Sequence, residues 1–178
     1  MFRAVHRIQP AIGDSQVGTR AEALASRIEQ GAAGLASYVE KLSDSEWKTP
    51  INPERDGRPL NVVVHHVASV YPVEVQLAQA VGSGKDMSEV TWDVVKNMNA
   101  EHATTNAGIS KADALALLRK NSGEAATAVR AMTDQQLDTA APFGLSFNAP
   151  VTAQFVLEDH AVRHSWHHLA RIKETLGK

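Results

Sequence analysis

Three of the eight histidines in this chain of 178 residues, His66, His164 and His168, occupy positions that helical periodicity turns toward an apolar interior. Counted at about 100° per residue, His164 and His168 share an arc with Leu157, Ala161 and Ile172, whereas His160 and His167 fall with Arg163, Arg171 and Glu174. The four-residue spacing stacks two imidazoles one turn apart on one face. His66 lies between Val70, Val73 and Leu77, while His65 lies among Asn61, Ser69, Pro72 and Gln76, which predicts that His65 faces water. A buried imidazole needs partners for its ring nitrogens. One divalent metal would serve all three rings and leave a position open for water or substrate. The competing account is three core histidines, each bonded separately within a helical bundle.

The rest of the chain narrows the chemistry. There is no cysteine, so a thiolate zinc site, a cysteine nucleophile and a disulfide framework are all excluded. Imidazole and oxygen must hold any metal, which favours zinc or nickel and also admits iron. No H-E-x-x-H, E-x-x-H or C-x-x-C-H occurs, which removes zincin, ferritin-like di-iron and attached-haem patterns. Glu74, on the apolar side of the same segment as His66, is a candidate base or ligand-orienting carboxylate; an interhelical ion pair is its simpler role. Glu158, Asp159 and His160 read as a solvated face, Trp47 and Trp166 as packing residues. His102 reads as a surface residue that could close the site as a fourth ligand.

The elements that must position these groups read as four amphipathic helices. The first covers 19–43, where Thr19 and Glu22 have capping-box spacing. The second covers 60–81, entered through Pro59, kinked at Pro72 and stopped at Gly82. Ser110 with Asp113 opens a third that continues to Met132, and the fourth covers 150–176. The long 83–109 stretch carries Trp92, Val95 and Met98, which predicts a short extra helix over 89–104. LSDSEWKTP after the first helix and MTDQQLDTAAP after the third echo each other. The expected architecture is all-α, a four-helix bundle in a single domain over 1–178, with 1–18 as an N-terminal extension.

Charge and composition exclude several partners. The formal charge of −2 and an aromatic content of 5% leave neither a basic patch nor a stacking surface for nucleic acid. No segment reaches the roughly 18 uninterrupted apolar residues of a membrane span, and MFRAVHRIQPAIGDSQ lacks a signal-peptide core. The expected setting is cytoplasmic, away from a membrane, with a small molecule as the substrate.

Residues VVVHHVAS (62–69) and RHSWHHLARI (163–172) resemble the two histidine motifs of the DinB and YfiT-like family of metal-dependent proteins. The second histidine of the first motif and both ends of H-x-x-x-H in the second are ligands there. Carried over, they give His66, His164 and His168. LSDSEWKTP and the closing I-x-x-x-L-G are also family-like, while RPLN (58–61) and Ser69 depart from the usual pattern, which bears on substrate handling. The resemblance implies an up-down-down-up bundle whose crossover is 82–109, and a homodimer. Relatives include thiol-dependent S-transferases, an isomerase and proteins described as hydrolases. The leading expectation is therefore a metal-dependent transferase that activates a low-molecular-weight thiol at the three-histidine site. The alternatives are a hydrolase using metal-bound water and a non-catalytic metal- or ligand-binding bundle.

Overall fold

The computed structural model describes residues 18–52 and 56–178; the expected extension over 1–18 falls almost wholly outside them. The helices are α1 (Thr19–Val39), α2 (Asp44–Trp47), α3 (Leu60–Gly82), α4 (Trp92–Thr105), α5 (Lys111–Arg130) and α6 (Asp134–Asp138), followed by strands β1 (Ala140–Pro142) and β2 (Pro150–Thr152). The last rod comprises α7 (Ala153–Leu157), one π-helical turn (Glu158–Val162) and α8 (Arg163–Leu176).

Long-range bonds set the helix directions. Lys111 Nζ donates to the Leu42 carbonyl at 2.5 Å, and Arg130 at the far end of α5 pairs with Glu22 and Glu29, so α1 and α5 are antiparallel. Asn61 Nδ2 donates to the Ala107 carbonyl at 2.8 Å and Asn121 Nδ2 to the Ala68 carbonyl at 2.8 Å, so α3 runs parallel to α5. Tyr71 meets Ser165 and Glu74 meets His164, which makes α8 antiparallel to α3. The order is up-down-down-up, as the sequence resemblance implies. The core between the rods holds Ile28, Leu35, Tyr71, Leu118, Leu157 and Ile172, each less than 2% exposed.

Local chemistry explains the boundaries and several departures from expectation. Ser110 Oγ accepts from Asp113 N, as predicted. α1 is not boxed by Thr19: Gly18 is its cap without a side-chain bond, and Glu22 instead binds Ser26 and Arg130. The helix ends at Val39 because Ser43 begins a capping box with Glu46 that starts α2. Thr133 and Gln136 form the equivalent box at α6. The two echoing sequences therefore share one local device.

α3 passes through Pro72 without interruption. A proline there removes the N–H that would bond the carbonyl four residues back, and Asn121 Nδ2 from α5 supplies the missing donor to that Ala68 carbonyl. The fourth helix does not begin at 150. Pro150–Thr152 pair antiparallel with Ala140–Pro142, and Thr152 Oγ1 caps α7 by accepting from Phe155 N. Three-residue strands holding two prolines present no alternating pattern to read. At the hairpin, Gly144 lies against the 88–90 backbone, where a Cβ would overlap the Ser88 and Val90 carbonyl oxygens.

Candidate metal centre

His66 comes from the second turn of α3, and His164 and His168 from the first two turns of α8. The antiparallel crossing brings them together, with potential ligand atoms all within 4.8 Å of one another. Ring centroids lie 5.0 Å apart for His66 and His164, 5.8 Å for His66 and His168, and 4.9 Å for His164 and His168. His66 and His168 are buried, at 7% and 5% exposure. Close packing behind α8 fixes its position: a Cβ on Gly31 of α1 would stand 2.8 Å from Trp166 Nε1. Next to His164 in the chain, Ser165 meets Tyr71: the two fully buried hydroxyls lie 2.6 Å apart and pin α3 to α8.

The electrostatics suit neutral ligands. Burial pushes the His66 imidazolium down to about 3, with the positive potential of His164, Arg58 and His102 adding to the effect. Burial first, then His164 and His66, hold His168 well below the ordinary histidine value. Both rings are therefore unprotonated at neutral pH and offer lone pairs. Their Nδ1 atoms are buried without a hydrogen-bond partner, as is Glu74 Oε2. Unpaired buried polar atoms carry a desolvation cost, and a cluster of them among three imidazoles fits a divalent ion. The donor set does not identify which ion.

Glu74 is buried, and its Oε1 accepts from His164 Nδ1 at 2.5 Å. That bond orients the ring, and a neutral His164 that donates from Nδ1 has its lone pair on Nε2. Glu74 thus reaches His164 across the α3–α8 interface. It also lines a cavity of about 370 Å³ beside the cluster.

Three neighbouring histidines depart from their sequence assignments. His65 does not face water: it is half-buried, and its Nδ1 shares a 2.8 Å hydrogen bond with His102 Nε2. α4 covers this side of α3, so the polar arc there meets protein instead of solvent. His102 is accordingly half-buried, its ring 5.6 Å from His66, but it does not join the three-histidine group. His160 lines the cavity with its side chain 16% exposed and its ring 5.8 Å from buried Phe143. A π turn takes more residues per revolution than an α turn, so counting at 100° overshoots upstream of Arg163. The turn swings His160 from the polar arc toward the face of His164. His167 is exposed, as expected, although it touches the cavity rim. Trp47 is buried and donates to the Ile109 carbonyl, whereas Trp166 is 46% exposed, lying on Gly31 and not within the core.

Near the entrance to α3, Asp56 binds Arg58 at 2.5 and 2.9 Å and Arg171 of α8 at 3.1 Å. Burial opposes ionisation of Asp56, yet the two guanidinium groups hold it below the usual aspartate range. This pairing ties the turn before α3 to the helix bearing His168. Among the described residues no helix is long and apolar enough to cross a membrane.

Residues 14–172 match the sequence model of the DinB superfamily. No curated protein matches the chain closely enough to count as a relative. Among solved structures, YfiT from Bacillus subtilis, described as a probable metal-dependent hydrolase with an unusual four-helix bundle topology, superposes with a TM-score of 0.69. It shares 22% identity, over 96% of this chain and 91% of that one, a likeness that speaks for the fold.

Proposed function

The chain belongs to the DinB superfamily, and from that premise we propose that it is a metal-dependent hydrolase of a small molecule, with His66, His164 and His168 holding one divalent ion. Zinc and nickel suit three imidazoles best, with iron also admissible. The observation that carries the reading is Glu74, a carboxylate placed against a ligand histidine and on the wall of a cavity large enough for a small substrate. YfiT, with its own description as a probable metal-dependent hydrolase, lends support through the shared fold.

When bound, the ion supplies Lewis acidity and activates water. The chain's own groups do the rest. His66 and His168, neutral because they are buried, present lone pairs. Glu74 Oε1 holds the Nδ1 proton of His164 and so keeps that ring in its ligating tautomer. Glu74, on the cavity wall and with one carboxylate oxygen free of hydrogen bonds, is the group to take the proton that water gives up as its oxygen adds to the acyl carbon. The departing alkoxide or amine must then regain a proton, and His160, half-buried on the same cavity wall, is a second group able to relay it.

This order reverses the expectation from sequence, which led with thiol transfer. Hydrolysis needs a base near the cluster, and Glu74 meets that need. A fourth protein ligand would favour the non-catalytic reading; its candidate, His102, shares its Nε2 with His65 and lies outside the three-histidine group. A homodimer, proposed on the resemblance alone, is checked by sedimentation of the purified chain.

The test begins with elemental analysis of untagged protein. Stoichiometric metal is expected, lost in His66→Ala, His164→Ala and His168→Ala, and largely kept in His65→Ala. An ester or amide panel should then show turnover that needs metal but no thiol, with added thiol inhibiting. Turnover that requires thiol, with a sulfur-to-metal charge-transfer band in cobalt-substituted protein, would reinstate the transferase. Full metal content in the three ligand variants would leave the histidines as bundle residues only.

A further inference from the structure

The cavity beside the histidines has one wall that their chemistry does not explain. His66, Val70, Val73, Glu74 and Leu77 follow one another along a single face of α3. At about 1.5 Å per residue, that face extends roughly 16 Å from the ligand histidine to Leu77. α4 lies across it, with His102 near His66 and with Trp92, at its other end, donating from Nε1 to the Leu145 carbonyl at 3.1 Å. Between those anchors α4 turns Val94, Val95 and Met98 into the cavity.

None of the fourteen residues of α4 is buried. Trp92, Val94 and Met98 stand 48%, 44% and 49% exposed, and Val73 opposite them 39%. A helix that contributes nothing to the core, yet holds its apolar side chains over a second apolar stripe, leaves contiguous apolar surface in water. Covering such surface is favourable at about 25 cal/mol per Å². Most of the polar groups lie on the opposing wall formed by the π turn and α8, where His160, His164 and the Asp159–Arg163 pair are found. The space between, about 370 Å³, accommodates on the order of a dozen non-hydrogen atoms at about 30 Å³ each. That is the size of a substrate with a hydrocarbon arm, and larger than an acetyl group requires.

We infer that the trough between α3 and α4 receives an apolar acyl or aryl arm of the substrate, so that the site selects esters or amides of medium-length apolar acids over short or charged ones. The identity of the reacting group rests on the hydrolase reading. The arm is recognised by Val73, Leu77, Val94 and Met98 whether or not a bond is cleaved beside it.

Two measurements keep those claims separate. In metal-free protein labelled with ¹³C at the methionine methyls, octanamide should shift the Met98 resonance and leave that of core Met132 in place. In zinc-loaded protein, calorimetry should show alkyl hydroxamates tightening about fourfold per methylene from acetohydroxamate to octanohydroxamate, the equivalent of burying one CH₂. Met98→Gln, on a half-exposed helix and so safe for folding, should flatten that series without changing metal content, and Met98→Leu should restore it. An unmoved Met98 resonance, or affinity independent of chain length, would overturn the inference even if esters are hydrolysed. A shifted Met98 and a steep series, with no ester or amide turned over, would sustain the trough and remove the hydrolase reading.

Discussion

The seam between α1 and α5 and the seam between α3 and α8 place their polar groups in opposite ways. Along α1 and α5 the interior is aliphatic, with Leu24, Ile28, Leu35, Leu118 and Val129 buried, and the charges sit outside as pairs of Arg130 with Glu22 and Glu29 and of Arg119 with Glu40. Along α3 and α8 the polar groups are inside: Tyr71 on Ser165, Glu74 on His164, and the imidazoles of His66 and His168. A bundle needs only the first kind of seam to fold, since apolar burial supplies the driving force and exposed ion pairs add little. The second kind carries a desolvation cost and unpaired buried nitrogens. That cost is what a bundle built only to fold would avoid, and it is why the proposed site is assigned to this seam.

The sharpest way to break this comparison is acid. His66 and His168 stay neutral in the folded metal-free chain well below the ordinary histidine value of 6.5, about 3 for His66, because they are buried. The unfolded chain takes up protons on both rings below about 6.5 while the folded chain does not, so proton uptake favours unfolding. The unfolding free energy of metal-free protein should therefore fall steadily from about pH 6.5 toward pH 3, by more than any change in the α1/α5 seam produces. In His66→Leu/His168→Leu that slope should shrink markedly. Denaturant melts with equal stability at pH 7 and pH 5 would show that these histidines are not held neutral, and the contrast between the seams would fail.

How legible this seam was in the sequence follows from the regularity of its helices. α8 is regular from Arg163 onward, so counting at 100° per residue placed His164, His168 and Ile172 on one face, where the structure has them. The same count failed for His160 because the π turn changes the residues per revolution, and no residue type in Glu158–Val162 announces such a turn. His65 was misjudged for a different reason: its helical arc is polar, but α4 packs over it, and one helix's periodicity says nothing about what a crossover segment covers. The Trp92–Met98 segment did reveal itself as a helix, through apolar spacing inside an overlong connection. The β1–β2 hairpin did not, since Ala140–Pro142 and Pro150–Thr152 are too short and too rich in proline. The cap at Thr19 was a false signal because Arg130, 108 residues away, competes for Glu22.

A smaller effect tests the polar interior where it does not touch the histidines. Asn121 is buried, and its amide replaces the N–H that Pro72 lacks. Asn121→Ala leaves the Ala68 carbonyl without that donor, which should cost about 1–3 kcal/mol in denaturant titrations while metal content stays unchanged. Replacing Pro72 as well, to give Pro72→Ala/Asn121→Ala, should recover part of the loss, because the restored N–H of residue 72 bonds the same carbonyl. If the double variant is no more stable than Asn121→Ala, the amide serves some purpose other than compensating the proline.

The smallest effect belongs to the outer seam. Hydrogen bonds from Arg130 hold the Glu22 and Glu29 carboxyls below their ordinary range, so whatever the pairs contribute is present above the unfolded glutamate value and lost as pH falls through the folded one. The side chains are 32% to 53% exposed, and water and salt screen them. Arg130→Met should thus lower the melting temperature less than Asn121→Ala does, and raising salt to about 1 M should remove most of the difference from the parent chain. The inner seam should ignore the same salt, because Tyr71, Ser165, Glu74 and His168 are buried and lie beyond the reach of mobile ions. An Arg130→Met loss that exceeds that of Asn121→Ala and persists in high salt would mean that the outer pairs hold the bundle together. The division between a folding seam and a functional seam would then have to be redrawn.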